Sequence, residues 1–257
     1  MDLILKASGL RKRYGRVVAV DGVDLELRAG ERVGLLGPNG AGKTTTLMML
    51  LGVIHPDAGW VEIAGHRLPR GRSDAMNAVG FSAGYMPLAE RMRVREFLTM
   101  FGNLYGLADP GPRVAHGLER FRISHLAEAM ATGLSSGQRT LVGIVKATMH
   151  RPRLLVLDEP TASLDPDVAL RVRSGLKDLC ESEGTSLLIT SHDMVEVERL
   201  CERVVFLANG KVIADDTPAG VVERFGRDDL EGVFLHLAGT EIPEHHEPRP
   251  QETDRTA

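Results

Sequence analysis

The chain has 257 residues, 43% apolar and 26% charged, which is enough to bury a real core and falls in the ordinary globular range. Thirty-one basic residues against thirty-five acidic ones leave a formal net charge of −4, which excludes a global electrostatic drive toward nucleic acid or anionic lipid. No run of about eighteen apolar residues occurs, the longest candidate being residues 47–54, so any part that crosses a membrane is expected on another chain. At the N-terminus, Asp2 stands where a signal peptide needs positive charge and the apolar stretch is short, so no signal peptide is expected.

Residues 3–7 and 17–27 alternate apolar and polar positions, with Val23, Leu25 and Leu27 on one face, and predict strands of an antiparallel sheet. After a turn at Ala29-Gly30, residues 32–36 form a short apolar strand that runs into a glycine-rich loop and a helix beginning near Gly42. Residues 94–150 switch to helical periodicity, broken at Asp109-Pro110-Gly111-Pro112 and at Thr132-Gly133, which predicts two or three inserted helical segments. Strand 154–157, helix 167–182, strand 186–190 and helix 193–201 then alternate as in a parallel α/β sheet. A hairpin over 204–207 and 212–214 turns at Asn209-Gly210, a pair suited to positive backbone angles. From about Thr240 the chain is rich in Pro, Glu and His and is expected to be disordered; His245 and His246 there read either as a metal pair or as part of a solvated tail. Cys180 and Cys201 lack metal-ligand spacing and read as buried thiols, with a disulfide as the alternative.

Gly37-Pro38-Asn39-Gly40-Ala41-Gly42-Lys43-Thr44 fits GxxxxGK[ST] between a strand and a helix. Such a loop turns its N–H groups onto phosphate oxygens at a helix N-terminus, with Lys43 reaching the β- and γ-phosphates, Thr44 binding Mg²⁺ and Thr45 counted beside it among the nucleotide-binding residues. Asp158 and Glu159 end an apolar strand at the edge where α/β sheets place ligands. One reading has Asp158 holding Mg²⁺ through water and Glu159 acting as general base; the other has both capping the next helix. Leu134-Ser135-Ser136-Gly137-Gln138 opens a helical run over 138–149 and forms a second anion site, for which this chain's own phosphate loop leaves no phosphate.

LSSGQ resembles the LSGGQ signature of ABC ATPases, with Ser136 in place of a glycine, and the resemblance covers roughly residues 1–238. It implies an α/β fold, a P-loop NTPase core of ABC ATPase type with an antiparallel β subdomain and an inserted α-helical subdomain. The division expected is an ATPase domain over 1–238, with its core in 1–93 and 151–238 and the helical part in about 94–150, and a disordered tail over 239–257. By the same resemblance Tyr14 stacks on adenine, Ser163-Leu164-Asp165 forms the loop after the second carboxylate, and His192 contacts the γ-phosphate. Each has a plainer rival: a surface tyrosine for Tyr14, a helix N-cap for Asp165, and a cap of the helix at Asp193 for His192.

In the family two such domains face head to tail, so that Ser135, Ser136, Gly137 and Gln138 of one close over the ATP on the other. The resemblance therefore implies ATP and Mg²⁺ as cofactors, a second ABC ATPase subunit and a separate integral membrane permease as partners, no nucleic acid, and a peripheral place on the cytoplasmic side of the cell membrane. Members usually carry a glutamine that touches Mg²⁺ within residues 79–90; here an ungapped comparison places Gly84 at that point, which leaves Thr44 as the direct side-chain ligand and a freely moving glycine in the segment facing the membrane partner. That departure and the phrase 230–239 are similar to a branch with sodium-extruding and drug-resistance exporters. The alternatives are an importer subunit, a soluble ABC ATPase of iron–sulfur cluster assembly, or one acting on DNA or ribosomes; the last usually needs long coiled coils or two cassettes, and neither is present here.

Overall fold

The computed structural model describes residues 2–84, 88–89, 91–162, 164–237 and 239. Residues 85–87 and 90 of the 79–90 segment, Ser163 and the tail beyond Gly239 fall outside these residues.

Two sheets organise the described chain. In the first, β1 (Leu3–Tyr14) pairs antiparallel with β2 (Val17–Arg28), and Ala7 lies opposite Leu25. This sheet is completed by β4 (Ala58–Ile63) and β5 (His66–Arg67) in the order β2-β1-β4-β5. Between them in sequence come β3 (Arg32–Leu36) and helix α1 (Lys43–Leu50). The second sheet has the order β10-β9-β3-β8-β7-β6, built from β3 with β6 (Val79–Ala83), β7 (Leu154–Asp158), β8 (Ser186–Thr190), β9 (Arg203–Ala208) and β10 (Lys211–Asp216). All its pairings are parallel except β9 with β10. Strands covered on both faces read as unbroken apolar runs, which is the pattern of β7 and β8.

The two-residue side-chain period divides β7 between two cores. Leu154 and Val156 join α1 and the first sheet, in a cluster with Leu25, Leu27, Leu47 and Leu50. Leu155 and Leu157 face the other way, onto the helices. Those are α3 (Val94–Leu104), α4 (Gly111–Arg120), α5 (Ser136–Thr148), α6 (Pro166–Glu183), α7 (Met194–Leu200), α8 (Pro218–Phe225) and α9 (Leu230–Leu237), after a short α2 (Arg72–Asn77). Phe121, fully buried in this second cluster, stands so close to Gly175 of α6 that a Cβ there would meet its ring at 2.5 Å.

Expected and observed elements agree in kind, with shifted ends. The antiparallel strands run on to Tyr14 and Arg28, past the expected 7 and 27, and α5 begins at Ser136, ahead of the expected 138, because Ser135 caps it. Cys180 and Cys201 are both buried and unbridged. Among the described residues no helix is long and apolar enough to cross a membrane.

Candidate functional site

β3 delivers the chain to Gly37 at the C-terminal edge of the parallel strands. A side chain is excluded there, since φ is +142° and a Cβ would lie 2.1 Å from the carbonyl oxygen of Leu207. Gly42, which caps α1 at φ +102°, has the same need: a Cβ would sit 2.4 Å from the Ala19 carbonyl. The loop closes with Ala41 N–H donating to the Pro38 carbonyl at 3.1 Å, and Gly210 N–H donates to the Ala41 carbonyl at 3.1 Å. The Gly210 carbonyl in turn accepts from Asp21 N–H at 2.8 Å, so the Asn209-Gly210 turn braces the loop against β2. No side chain caps α1, which leaves first-turn N–H groups for an anion.

Lys43 is buried and donates to the carbonyls of Gly37 at 2.5 Å and Pro38 at 3.1 Å, so here it is curled onto the loop. Burial pushes its pKa down, while Glu159 and Asp158 pull it up. The loop thus lies within electrostatic reach of Asp158 at the end of β7 and of Glu159 just after it.

Asp158 lies opposite Thr190 in the β7–β8 register. The Thr190 hydroxyl donates to Asp158 Oδ1 at 2.6 Å, and Glu159 N–H donates to both the hydroxyl and the carbonyl of Thr190 at 3.1 Å. Glu159 has φ +51°, a left-handed conformation that costs a non-glycine residue about 1–3 kcal/mol and recurs at functional sites. Its Oε2 lies 2.6 Å from His192 Nε2. Neither carboxylate caps a helix: α6 has Asp165 at its N-cap position, though without a side-chain cap bond, and α7 is capped by Asp193, which accepts from Glu196 N–H at 3.0 Å. His192 is therefore not the cap of α7. Glu159 and His192 open on a cavity of about 420 Å³ that Glu231 of α9 also lines, a neighbour no motif announced.

Among the described residues no group of three or more His, Cys, Asp and Glu side chains forms a metal cage. Thr44, an exposed residue next to the buried Lys43, and Asp158 offer hard oxygen donors, few in number. That set fits Mg²⁺, which keeps several waters and draws its other oxygens from phosphates.

Gly84 donates its N–H to the Asp158 carbonyl at 3.0 Å and accepts from Thr140 Oγ1 at 3.3 Å. Its φ is not in the left-handed region, and close packing is what favours glycine here: a Cβ would stand 2.8 Å from the Glu159 carbonyl oxygen.

The LSSGQ segment lies on α5 in the helical layer. Ser135 and Gln138 form a capping box, with Gln138 N–H donating to Ser135 Oγ at 3.3 Å and Ser135 N–H to Gln138 Oε1 at 3.0 Å. Ser136 is exposed, and Gly137 is buried where a Cβ would meet Val168 at 3.1 Å. Among the described residues no hydrogen bond joins Ser135–Gln138 to residues 37–45. Tyr14 is half exposed at the end of β1, with the Lys12 ammonium 5.8 Å from its ring centre.

Residues 20–162 match the family described as ABC transporter. Among curated proteins, the Nod factor export ATP-binding protein I of Ralstonia nicotianae is 39% identical over 246 residues, covering 91% of this chain and 76% of that protein. Its namesake from Burkholderia orbicola is 39% identical over 225 residues, covering 86% and 74%. Among solved structures, an ATP binding subunit of an ABC transporter superposes with a TM-score of 0.81 at 29% identity, covering 91% of this chain and 99% of its own. The cbiO1 protein of Clostridium perfringens, described as part of the ABC transporter complex cbiONQ, superposes with a TM-score of 0.78 at 27% identity, covering 90% and 93%.

Proposed function

Since the chain belongs to the ABC transporter ATP-binding family, whose cassettes bind ATP and hydrolyse it to power transport, we propose that it is the ATPase of an exporter. In this reading residues 1–238 form the ATPase unit, with about 94–150 as its helical part. Two such chains, or this one and a related cassette, close on ATP and drive a separate integral membrane permease from the cytoplasmic face. Export is supported by the names of the relatives at 39% identity. The cargo is a matter for the permease.

The observation that carries the ATPase reading is the glycine-rich loop with Lys43 at the end of β3 and the joined Asp158, Glu159 and His192 at the ends of β7 and β8, in one sheet. Residues 37–45 hold the phosphates, the Lys43 ammonium leaving the loop carbonyls for their oxygens. Thr44 and Asp158 would hold Mg²⁺, which neutralises phosphate charge when bound. His192 Nε2–H fixes Glu159 Oε2, so Oε1 is left to take a proton from the water that attacks the γ-phosphate. Tyr14 offers an exposed ring for adenine. Ser135, Ser136, Gly137 and Gln138 serve the ATP of the partner chain, and Asp165 lies in the segment that packs beside them.

The test is Glu159→Gln, which keeps shape and removes the base. Hydrolysis should fall about 10²–10⁴-fold while ATP binding persists. Near-normal turnover would remove the assignment.

A further inference from the structure

The β7–β8 backbone ladder already joins these strands, yet a hydroxyl is buried between them with both its hydrogen-bonding roles filled. Thr190 is fully buried, gives its proton to Asp158 Oδ1 at 2.6 Å and accepts the Glu159 N–H at 3.1 Å. One side chain thus touches both acidic residues, through the carboxylate of the first and the backbone of the second. We infer that Thr190 is a positioning residue for hydrolysis: its hydroxyl fixes the carboxylate plane of Asp158 and anchors the left-handed Glu159 backbone from which the general base projects.

Two consequences follow from the geometry. With Oδ1 engaged by Thr190, Oδ2 is the Asp158 oxygen that would be left to face Mg²⁺. The shared Glu159 N–H, held by the carbonyl and hydroxyl of one residue, offsets the unfavourable φ of +51° at the point where the chain leaves the strand. The adjacent Ser191 hydroxyl is used differently, accepting Asp193 N–H at 3.0 Å at the entry to α7, so it cannot replace Thr190 without losing that bond.

The inference rests on Asp158 and Glu159 being the hydrolytic carboxylates, and the experiment separates the two claims. Thr190→Val in the full chain keeps volume and the β-branch and removes the hydroxyl. It should lower kcat roughly ten- to hundredfold, the span of one hydrogen bond to a charged group, with KM for ATP near wild type. The Mg²⁺ concentration for half-activation should rise, and hydrogen exchange in the peptide covering 155–162 should quicken. Thr190→Ser should restore all three. If Thr190→Val does not fold, Thr190→Cys takes its place, with a weak thiol where the hydroxyl stood. Wild-type kcat, metal dependence and exchange in the hydroxyl-free variant would overturn the inference, as would a serine variant no better than valine. Glu159→Gln assayed alongside distinguishes the causes: if it too hydrolyses ATP normally, the underlying site reading has failed, whereas if it alone is inactive, only the role of Thr190 has.

Discussion

Gly84→Ala adds one methyl group beside the end of β7. Its Cβ would stand 2.8 Å from the Glu159 carbonyl oxygen, where carbon–oxygen contacts ordinarily begin near 3.3 Å, so the two strands must part by several tenths of an ångström. Neither side yields freely. Gly84 is held by Asp158 and Thr140, and Glu159 by Thr190. Overpacking of this kind costs about 1–3 kcal/mol, and each kcal/mol lowers Tm by about 2–4 °C in a chain of this size; together they give a fall of roughly 2–12 °C. A 1 Å misplacement costs about a hundredfold in rate, so a few tenths at Glu159 should cost about three- to tenfold in kcat. KM for ATP should stay near wild type, because residues 37–45 are not touched. Thermal unfolding and steady-state ATPase assays measure both. A Gly84→Ala protein with unchanged Tm and kcat would refute the packing argument; Gly84→Gln, although it restores the glutamine common in the family, should be worse than alanine.

Gly42→Ala should abolish nucleotide binding, read with a fluorescent ATP analogue, because the loop cannot keep its φ of +102° or its 2.4 Å approach to Ala19. Gly175→Ala should destabilise the fold by about 1–3 kcal/mol through the Phe121 ring, with the ATPase midpoint in urea falling in step. Burial pushes the thiols of Cys180 and Cys201 up to about 11 and about 12. The fold favours their neutral forms, so their contribution to stability is complete below pH 9 or so and is lost as pH rises through those values. Native protein at pH 8 should accordingly resist a thiol reagent that reacts at once after unfolding.

The parallel strands were legible because burial on both faces leaves apolar runs such as residues 154–157 and 187–189. The Asn209-Gly210 turn was legible from its residue types, with φ of +49° and +75°. The rest of β1 was not, since register shifts between Ala7 and Leu10 and between Lys12 and Arg13 break the alternation that identifies a strand. α2 buries only Ala75 and shows no apolar stripe, and β4 opens with Ala58-Gly59. α8 and α9 are short, and the phrase 230–239 carries a branch resemblance without helical periodicity of its own. In the site, the loop and the carboxylates carry their own spacing. Thr190 does not: its hydroxyl matters only through register with Asp158, and Gly210 and Glu231 arrive by tertiary packing alone.

The central claim is that one chain holds halves of two different ATP sites, which mixing two disabled variants tests directly. Lys43→Ala lacks a working phosphate loop, and Ser135→Arg lacks a working signature. A mixed dimer regains one complete site, from the loop of the second and the signature of the first. Single-turnover hydrolysis should reappear after subunit exchange, even where steady turnover needs both sites. A mixture as inactive as its components, with mixed dimers present, would contradict the account.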